Sequence, residues 1–170
     1  MMLSRGFWLA LAASVLFLLA INVQVFKNEQ LLSGGTVVRL ALVPVDPRSL
    51  MQGDYMALRY ALEDPVRAAM DEADIKRNFD GMVWVRLDAN GVAQFVAIDK
   101  GQAMDEAELK GAIRLQFRKR DDAIKLASNA WFFEEGRAEH FEQAKYGEFR
   151  VDADGRVLLA AMLDEAFRPL

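Results

Sequence analysis

A chain of 170 residues fits one domain of ordinary size plus a short appendage, and its 27% of charged residues excludes a multi-pass membrane protein. There is no cysteine, which removes zinc ribbons, thiolate clusters, a cysteine nucleophile and any disulfide framework, and is silent on redox compartment. The formal net charge is −4; without Arg5 and Lys27, residues 28–170 hold 19 basic against 25 acidic side chains. An acidic domain without a basic face argues against nucleic acid as a partner, because that binding rests on neutralising phosphates.

The N-terminus carries the strongest signal. Phe7 to Phe26 is uncharged, and Phe7 to Ile21 (FWLALAASVLFLLAI) is nearly continuous hydrocarbon. As a helix rising about 1.5 Å per residue, the stretch covers roughly 30 Å, the thickness of a bilayer core. Ser14 can bond back to its own helix, Asn22 and Gln24 fall near the far end, and Trp8 sits at the near boundary. Arg5 and the α-amine precede the span, whereas Lys27 and Glu29 after it offset each other, so the N-terminus is expected in the cytoplasm and the remainder outside. A cleaved signal peptide is the competing reading, but Leu19-Ala20-Ile21-Asn22 lacks the small-residue cleavage pattern. A soluble core helix is the other, and it would show a polar stripe that this segment lacks.

Residues 1–27 therefore read as a membrane anchor, 28–35 as a linker hinged at Gly34-Gly35, and 36–170 as one extracytoplasmic domain. Thr36 to Val43 is rich in β-branched and apolar residues and reads as a strand ending at Pro44. Asp46-Pro47-Arg48-Ser49 is turn chemistry, and Asp54 to Leu62 reads as a second strand. Pro65 to Phe79 has helix formers, with Asp64 as its expected N-cap. Met82–Leu87 and Val92–Asp99 form a hairpin around Asp88-Ala89-Asn90-Gly91, and Glu148–Val151 with Val157–Leu163 another around Asp152-Ala153-Asp154-Gly155. In both turns the glycine supplies positive φ; a calcium loop would need the full ligand series and a closing glutamate, which neither has. Ala112 to Arg120 alternates as a half-exposed strand, Ala130 to Glu134 is a short aromatic strand, and Glu135 to Lys145 is a helix or ordered loop. The expected fold class is α+β and mainly β: an N-terminal transmembrane helix, then one antiparallel domain of five to eight strands with one or two short helices.

One segment is specific. In Gly53-Asp54-Tyr55-Met56-Ala57-Leu58-Arg59-Tyr60 the glycine permits a sharp entry and Asp54 can cap the turn. Alternation puts Asp54, Met56, Leu58 and Tyr60 on one face, with Leu58 and Tyr60 as core residues. A buried Tyr60 hydroxyl needs a partner, and Asp54 is too far along the same face to be assumed as one. This octapeptide resembles, at every specified position, the G-D-Y-x-x-L-x-Y signature of the bacterial family named GDYXXLXY protein. The resemblance extends to the apolar span, the approach at Val43–Arg48 and the Tyr146–Asp152 segment. It implies a membrane-anchored protein without an assigned activity, with a multi-pass membrane protein as partner, and it carries over no catalytic residue and no cofactor.

Elsewhere chemistry is sparse. Glu148 and Arg150 share a strand face and can pair, with Tyr146, Glu142, Glu135 and Asp54 as further members of a polar cluster; a surface ion-pair network is the plainer reading. His140 is the single histidine, with no second histidine or cysteine to make a zinc site and no G-x-S-x-G beside it. The rival function is an envelope hydrolase or ligand-binding module using Asp54, Tyr60, Glu148 or His140. Gly-Asp entering a strand after a proline turn weakly resembles signal-peptidase-like serine proteases, but Pro44-Val45 stands where those carry Ser-Met. Ser49 is displaced, and neither Lys100 nor Lys110 stands at a demonstrable general-base position.

Overall fold

A computed structural model describes residues 5–43, 55–99, 106–121 and 123–170. The apolar segment is a single helix, α1 (Arg5–Gly34), long and apolar enough to cross a membrane, with its most apolar stretch wholly uncovered. It runs past the expected linker, so residues 28–34 are helical rather than a loose tether. The reason is local: Leu31 is buried against the domain, and the Gly35 N–H donates to the Leu31 carbonyl at 2.9 Å, which closes the helix directly onto the first strand. A Cβ on Gly35 would come within 2.6 Å of that carbonyl oxygen, so only glycine fits the corner.

Three antiparallel sheets follow. The first pairs β1 (Thr36–Ala41) with β8 (Tyr146–Val151), and β8 with β9 (Val157–Leu163). The second has the order β4-β3-β5-β6, from β3 (Phe79–Leu87), β4 (Ala93–Ile98), β5 (Ile113–Arg120) and β6 (Ala123–Leu126). A two-stranded ribbon joins β2 (Tyr55–Ala57) to β7 (Ala130–Phe132). Helix α2 (Glu63–Glu72) packs near β4 and β6, and two single-turn helices, α3 (Glu106–Leu109) and α4 (Ala138–Phe141), sit in connections. Nine strands among the described residues exceed the expected five to eight; β6 is the addition, since Ala123–Leu126 is too short to show alternation unaided.

One core unites these layers. Alternation along the strands turns Val38, Leu40, Phe149, Val151 and Met162 of the first sheet inward. They meet Val83, Val85, Leu115, Phe117, Ile124 and Leu126 of the second, with Val66 and Met70 of α2. Tyr60 lies in the same cluster, edge-on to Phe149 with ring centroids 5.6 Å apart.

Helix α2 departs from expectation at both ends. Its N-cap is Leu62, without a side-chain bond, rather than Asp64. Pro65 is tolerated in the first turn because N–H groups there have no intrahelical partner anyway. The helix stops at Glu72, short of Phe79, because Asp74 turns left-handed (φ 53°). Ile75 then donates to the Met70 carbonyl and Asp74 to that of Asp71, the double bond of a Schellman ending with aspartate in glycine's usual place.

Three turns share one construction. Asp88 Oδ1 accepts the N–H groups of Asn90 and Val92, Asp152 Oδ1 those of Asp154 and Arg156, and Asp164 Oδ1 those of Ala166 and Arg168, all at 2.8–3.0 Å. These carboxylates are consumed as turn caps, as hairpin turns require and a calcium loop does not. The fourth position is left-handed each time: Gly91 (φ 74°), Gly155 (φ 78°) and Phe167 (φ 59°).

Gly155 has a second constraint, since a Cβ there would lie 2.9 Å from the Arg114 carbonyl oxygen. Gly155→Ala is therefore expected to destabilise the full chain in detergent by about 2–3 kcal/mol in denaturant unfolding, from left-handed strain plus the clash. Gly136→Ala, also at positive φ (84°) but with open space around it, should cost only about 1 kcal/mol. Equal losses would show that the clash contributes nothing.

Candidate functional site

Gly53 and Asp54 of the signature lie outside the described residues. Its other members are bound into the fold at successive depths. Tyr55 opens β2, paired with Phe132 in register and ring to ring at 5.7 Å. Leu58 is buried, and its N–H donates to the Asn129 carbonyl at 2.9 Å. Tyr60 is fully buried, and its hydroxyl donates to the Ser128 carbonyl at 2.6 Å. Burial, with the nearby Glu63 charge, pushes the phenol well above its ordinary range, so Tyr60 remains a donor at any physiological pH. The signature thus fastens one extended segment to the loop at 127–130 through side chain and backbone together.

Glu63 closes the same corner. Its Oε1 accepts the Tyr60 N–H at 3.0 Å, and the side chain is buried at the start of α2. Burial raises its carboxyl above the usual range, against the opposing pull of that N–H and of Arg59 and Arg67. Arg59 itself pairs with Asp64 at 2.7 Å, both exposed.

The β8 residues meet a partner that the sequence reading did not name. Arg39 on β1 stands directly opposite Glu148 and pairs with its Oε2 at 3.4 Å, while Arg150 reaches Oε1 at 3.5 Å. Arg39 also donates to the Asn90 carbonyl, and its guanidinium lies over the Phe167 ring, 5.1 Å from the centroid. Phe167 in turn packs against Tyr146 at 4.7 Å. Arg39 therefore stitches the first sheet to the β3–β4 turn, and the strained φ of Phe167 is explained by the ring it delivers there. Glu142 stands apart, lining an open cleft with Glu139, Lys145, Asp164 and Arg168, and Glu135 is exposed in the loop before α4. Asp164 is held below the usual carboxylate range by the Arg168 N–H and guanidinium.

His140 lies half-buried on α4 with its ring edge against Phe141. Ser49 and Lys100 are outside the described residues, and Lys110 is exposed in the turn after α3. No group of three or more histidines and carboxylates is placed to hold a metal among the described residues.

Two features were not anticipated. Phe132 is 76% exposed beside the half-buried Tyr55, an aromatic pair facing solvent. A cleft of about 540 Å³ is lined by Arg118, Lys125 and Arg156 together with Asp80, Met82 and Gln116. The expectation of a domain with no basic face is thereby corrected. β5 alternates Leu115 and Phe117 inward with Gln116 and Arg118 outward, and β6 and the β8–β9 turn add Lys125 and Arg156 beside them.

Two substitutions probe the corner at Tyr60. Tyr60→Phe keeps the ring and deletes the hydroxyl, leaving the Ser128 carbonyl unpaired, at an expected loss of about 1–2 kcal/mol in denaturant unfolding. Glu63→Gln tests the raised carboxyl. A folded-state pKa above the unfolded one means that protonation favours the fold; that stability is full below the unfolded value and is lost as pH rises through the folded one. The glutamine variant, which keeps an acceptor and cannot ionise, should exceed the parent in stability at neutral pH and converge with it on acidification. A gap that widens towards acid would contradict this.

The GDYXXLXY protein family matches residues 17–162. No curated protein and no solved structure matches the chain. The matched region starts inside α1, takes in the buried signature corner and ends within β9, so that most of the architecture described above is covered. The chain belongs to the GDYXXLXY protein family.

Proposed function

We propose that the protein is a non-enzymatic, membrane-anchored interaction module. In this reading α1 crosses the bacterial inner membrane with its N-terminus in the cytoplasm. The β-rich domain stands on the periplasmic or extracellular side, where it associates with a multi-pass membrane protein. The observation that carries the reading is how α1 handles its polar groups. Ser14 Oγ donates to the Ala10 carbonyl, Asn22 Nδ2 to that of Leu18, and Gln24 Nε2 to Asn28 Oδ1, all within the helix. A segment that satisfies itself in this way while presenting Phe7, Leu11, Leu16, Phe17 and Val23 outward meets the demand of hydrocarbon, where nothing else offers a hydrogen bond.

The exposed Tyr55–Phe132 pair supports the interaction half of the reading. Aromatic side chains offer a large, rigid contact area at low entropic cost, and one left open on a short ribbon suits a protein surface better than solvent.

The test has two parts. The chain should stay in the pellet after carbonate washing and keep residue 1 on its N-terminus; release, or a mature end near Asn22, would end the anchor reading. A photoreactive phenylalanine analogue at position 132 should then give a discrete adduct with an integral membrane protein, and the same group at Asp154 should not. Adducts of equal yield at both positions, or only with a second copy of this chain, would overturn the proposed association.

A further inference from the structure

Because α1 enters β1 through Gly35 alone, the end of the domain nearest the helix is defined by the pairs Thr36–Val151 and Val151–Val157. A cleft of about 400 Å³ marks this junction, lined by Lys27, Gln30 and Leu31 of the helix and by Asp152, Ala153 and Arg156 of the β8–β9 turn. That turn is held down on β5: Arg114 donates to the Ala153 carbonyl, and the Gln116 N–H to that of Gly155. Arg156 lines both this cleft and the 540 Å³ one, so Lys27, Arg156, Arg118 and Lys125 border two adjoining hollows, the first of them at the helix-proximal end.

The charge there is open. Asp152 and Asp80, the carboxylates lining the two clefts, are already taken by Arg156 (3.1 Å) and Arg120 (2.6 Å). Arg156 uses Nε for Asp152, and the side chains of Lys27, Arg118 and Lys125 have no polar partner among the described residues. At the opposite end of the same sheet, beyond Tyr146 and Leu163, Glu139, Glu142, Asp164 and Glu165 outnumber Lys145 and Arg168. The linings of these clefts are therefore polarised among the described residues: the cleft beside the apolar helix and the one adjoining it carry the unpaired Lys27, Arg118 and Lys125, with Glu29 and Asp154 as the exposed carboxylates nearby.

Length sets where that end lies. If Phe7–Phe26 fills the hydrocarbon, the helix from Lys27 to Gly34 adds about 12 Å, which crosses the headgroup layer of roughly 5–8 Å and ends just outside it. Lys27 then lies among the headgroups, and the junction cleft opens at their outer edge, within reach of long basic side chains. We propose that Lys27, Arg118, Lys125 and Arg156 seat the domain on anionic phospholipid headgroups of the bilayer that α1 spans. The contact rests on the anchor reading, adds a second attachment to it, and orients the acidic end away from the surface. Being electrostatic and solvent-exposed, it weakens as salt shortens the screening length.

The chain has no cysteine, so a single probe is simple to place. The full chain carrying Ala123→Cys, exposed on β6 near Lys125, is labelled with a fluorophore. It is then incorporated into nanodiscs of phosphatidylcholine alone, or with about one third phosphatidylglycerol, each doped with a headgroup nitroxide quencher. The expected result is at least twofold stronger quenching in the anionic discs, abolished by about 0.5 M salt. Combining Arg118→Gln with Lys125→Gln should abolish it too, whereas Glu165→Gln should leave it unchanged. Incorporation with equal quenching in both lipids would overturn the headgroup contact while leaving the anchor standing. Strong quenching indifferent to lipid charge and to the glutamine pair would do the same, pointing to docking by another surface. Failure to incorporate into either disc would overturn the anchor, and the headgroup contact with it.

Discussion

A single glycine separates thirty residues of helix from the first strand, so helix and domain meet at a corner with no linker between them. Gly35 cannot be enlarged without striking the Leu31 carbonyl, and Leu31 is buried against the domain instead of facing solvent. A flexible tether would let the domain sample all orientations relative to the helix. Here Leu31 packs on the domain and the helix runs directly into β1, so one end of the β domain lies near the helix and the other far from it. The polarity of charge acquires meaning only through that constraint.

The family signature answers a different need. Leu58 and Tyr60 bury themselves between the sheets, and the backbone of the same segment bonds the loop at 127–130. Glu63 folds back onto the Tyr60 N–H at the point where the chain turns into α2. A tyrosine does here what a phenylalanine cannot, because its hydroxyl satisfies a carbonyl that no strand pairs. Leu58 and Tyr60, two of the described residues that identify the family, are thus explained by packing. Tyr55 is the exception, since its ring leaves the core to lie against Phe132.

Much of this fold is visible in the order of residues because it rests on local rules. The two D-A-[ND]-G turns declare themselves, as do the alternation of β5 and the uncharged run of α1. The third turn of that kind, Asp164 to Arg168, escapes the same reading because Phe167 occupies the left-handed position where glycine is the signal. Its reason lies across the sheet, in Tyr146 and Arg39, and no local window contains it. The helical course of residues 28–34 was hidden likewise, since paired glycines suggest a hinge until Leu31 is seen buried. Glu142 was grouped with Glu148 by nearness in sequence, but the chain turns between α4 and β8 and gives it other neighbours.

The basic face is the sharpest case of information that sequence order scatters. Lys27, Arg118, Lys125 and Arg156 come from a helix, two strands of one sheet and a turn of another, and the net charge of the domain is negative. Summation over the chain hides such an arrangement, because a net charge has no position. What separates the signs is the antiparallel run of β8 and β9: one end of the pair meets the helix with Arg156, and the other carries Asp164 and Glu165 away from it. Potential near a surface depends on the charges within a screening length, not on the total. An acidic domain can therefore present a cationic end to whatever lies beside its helix, and the short corner at Gly35 puts that end next to it.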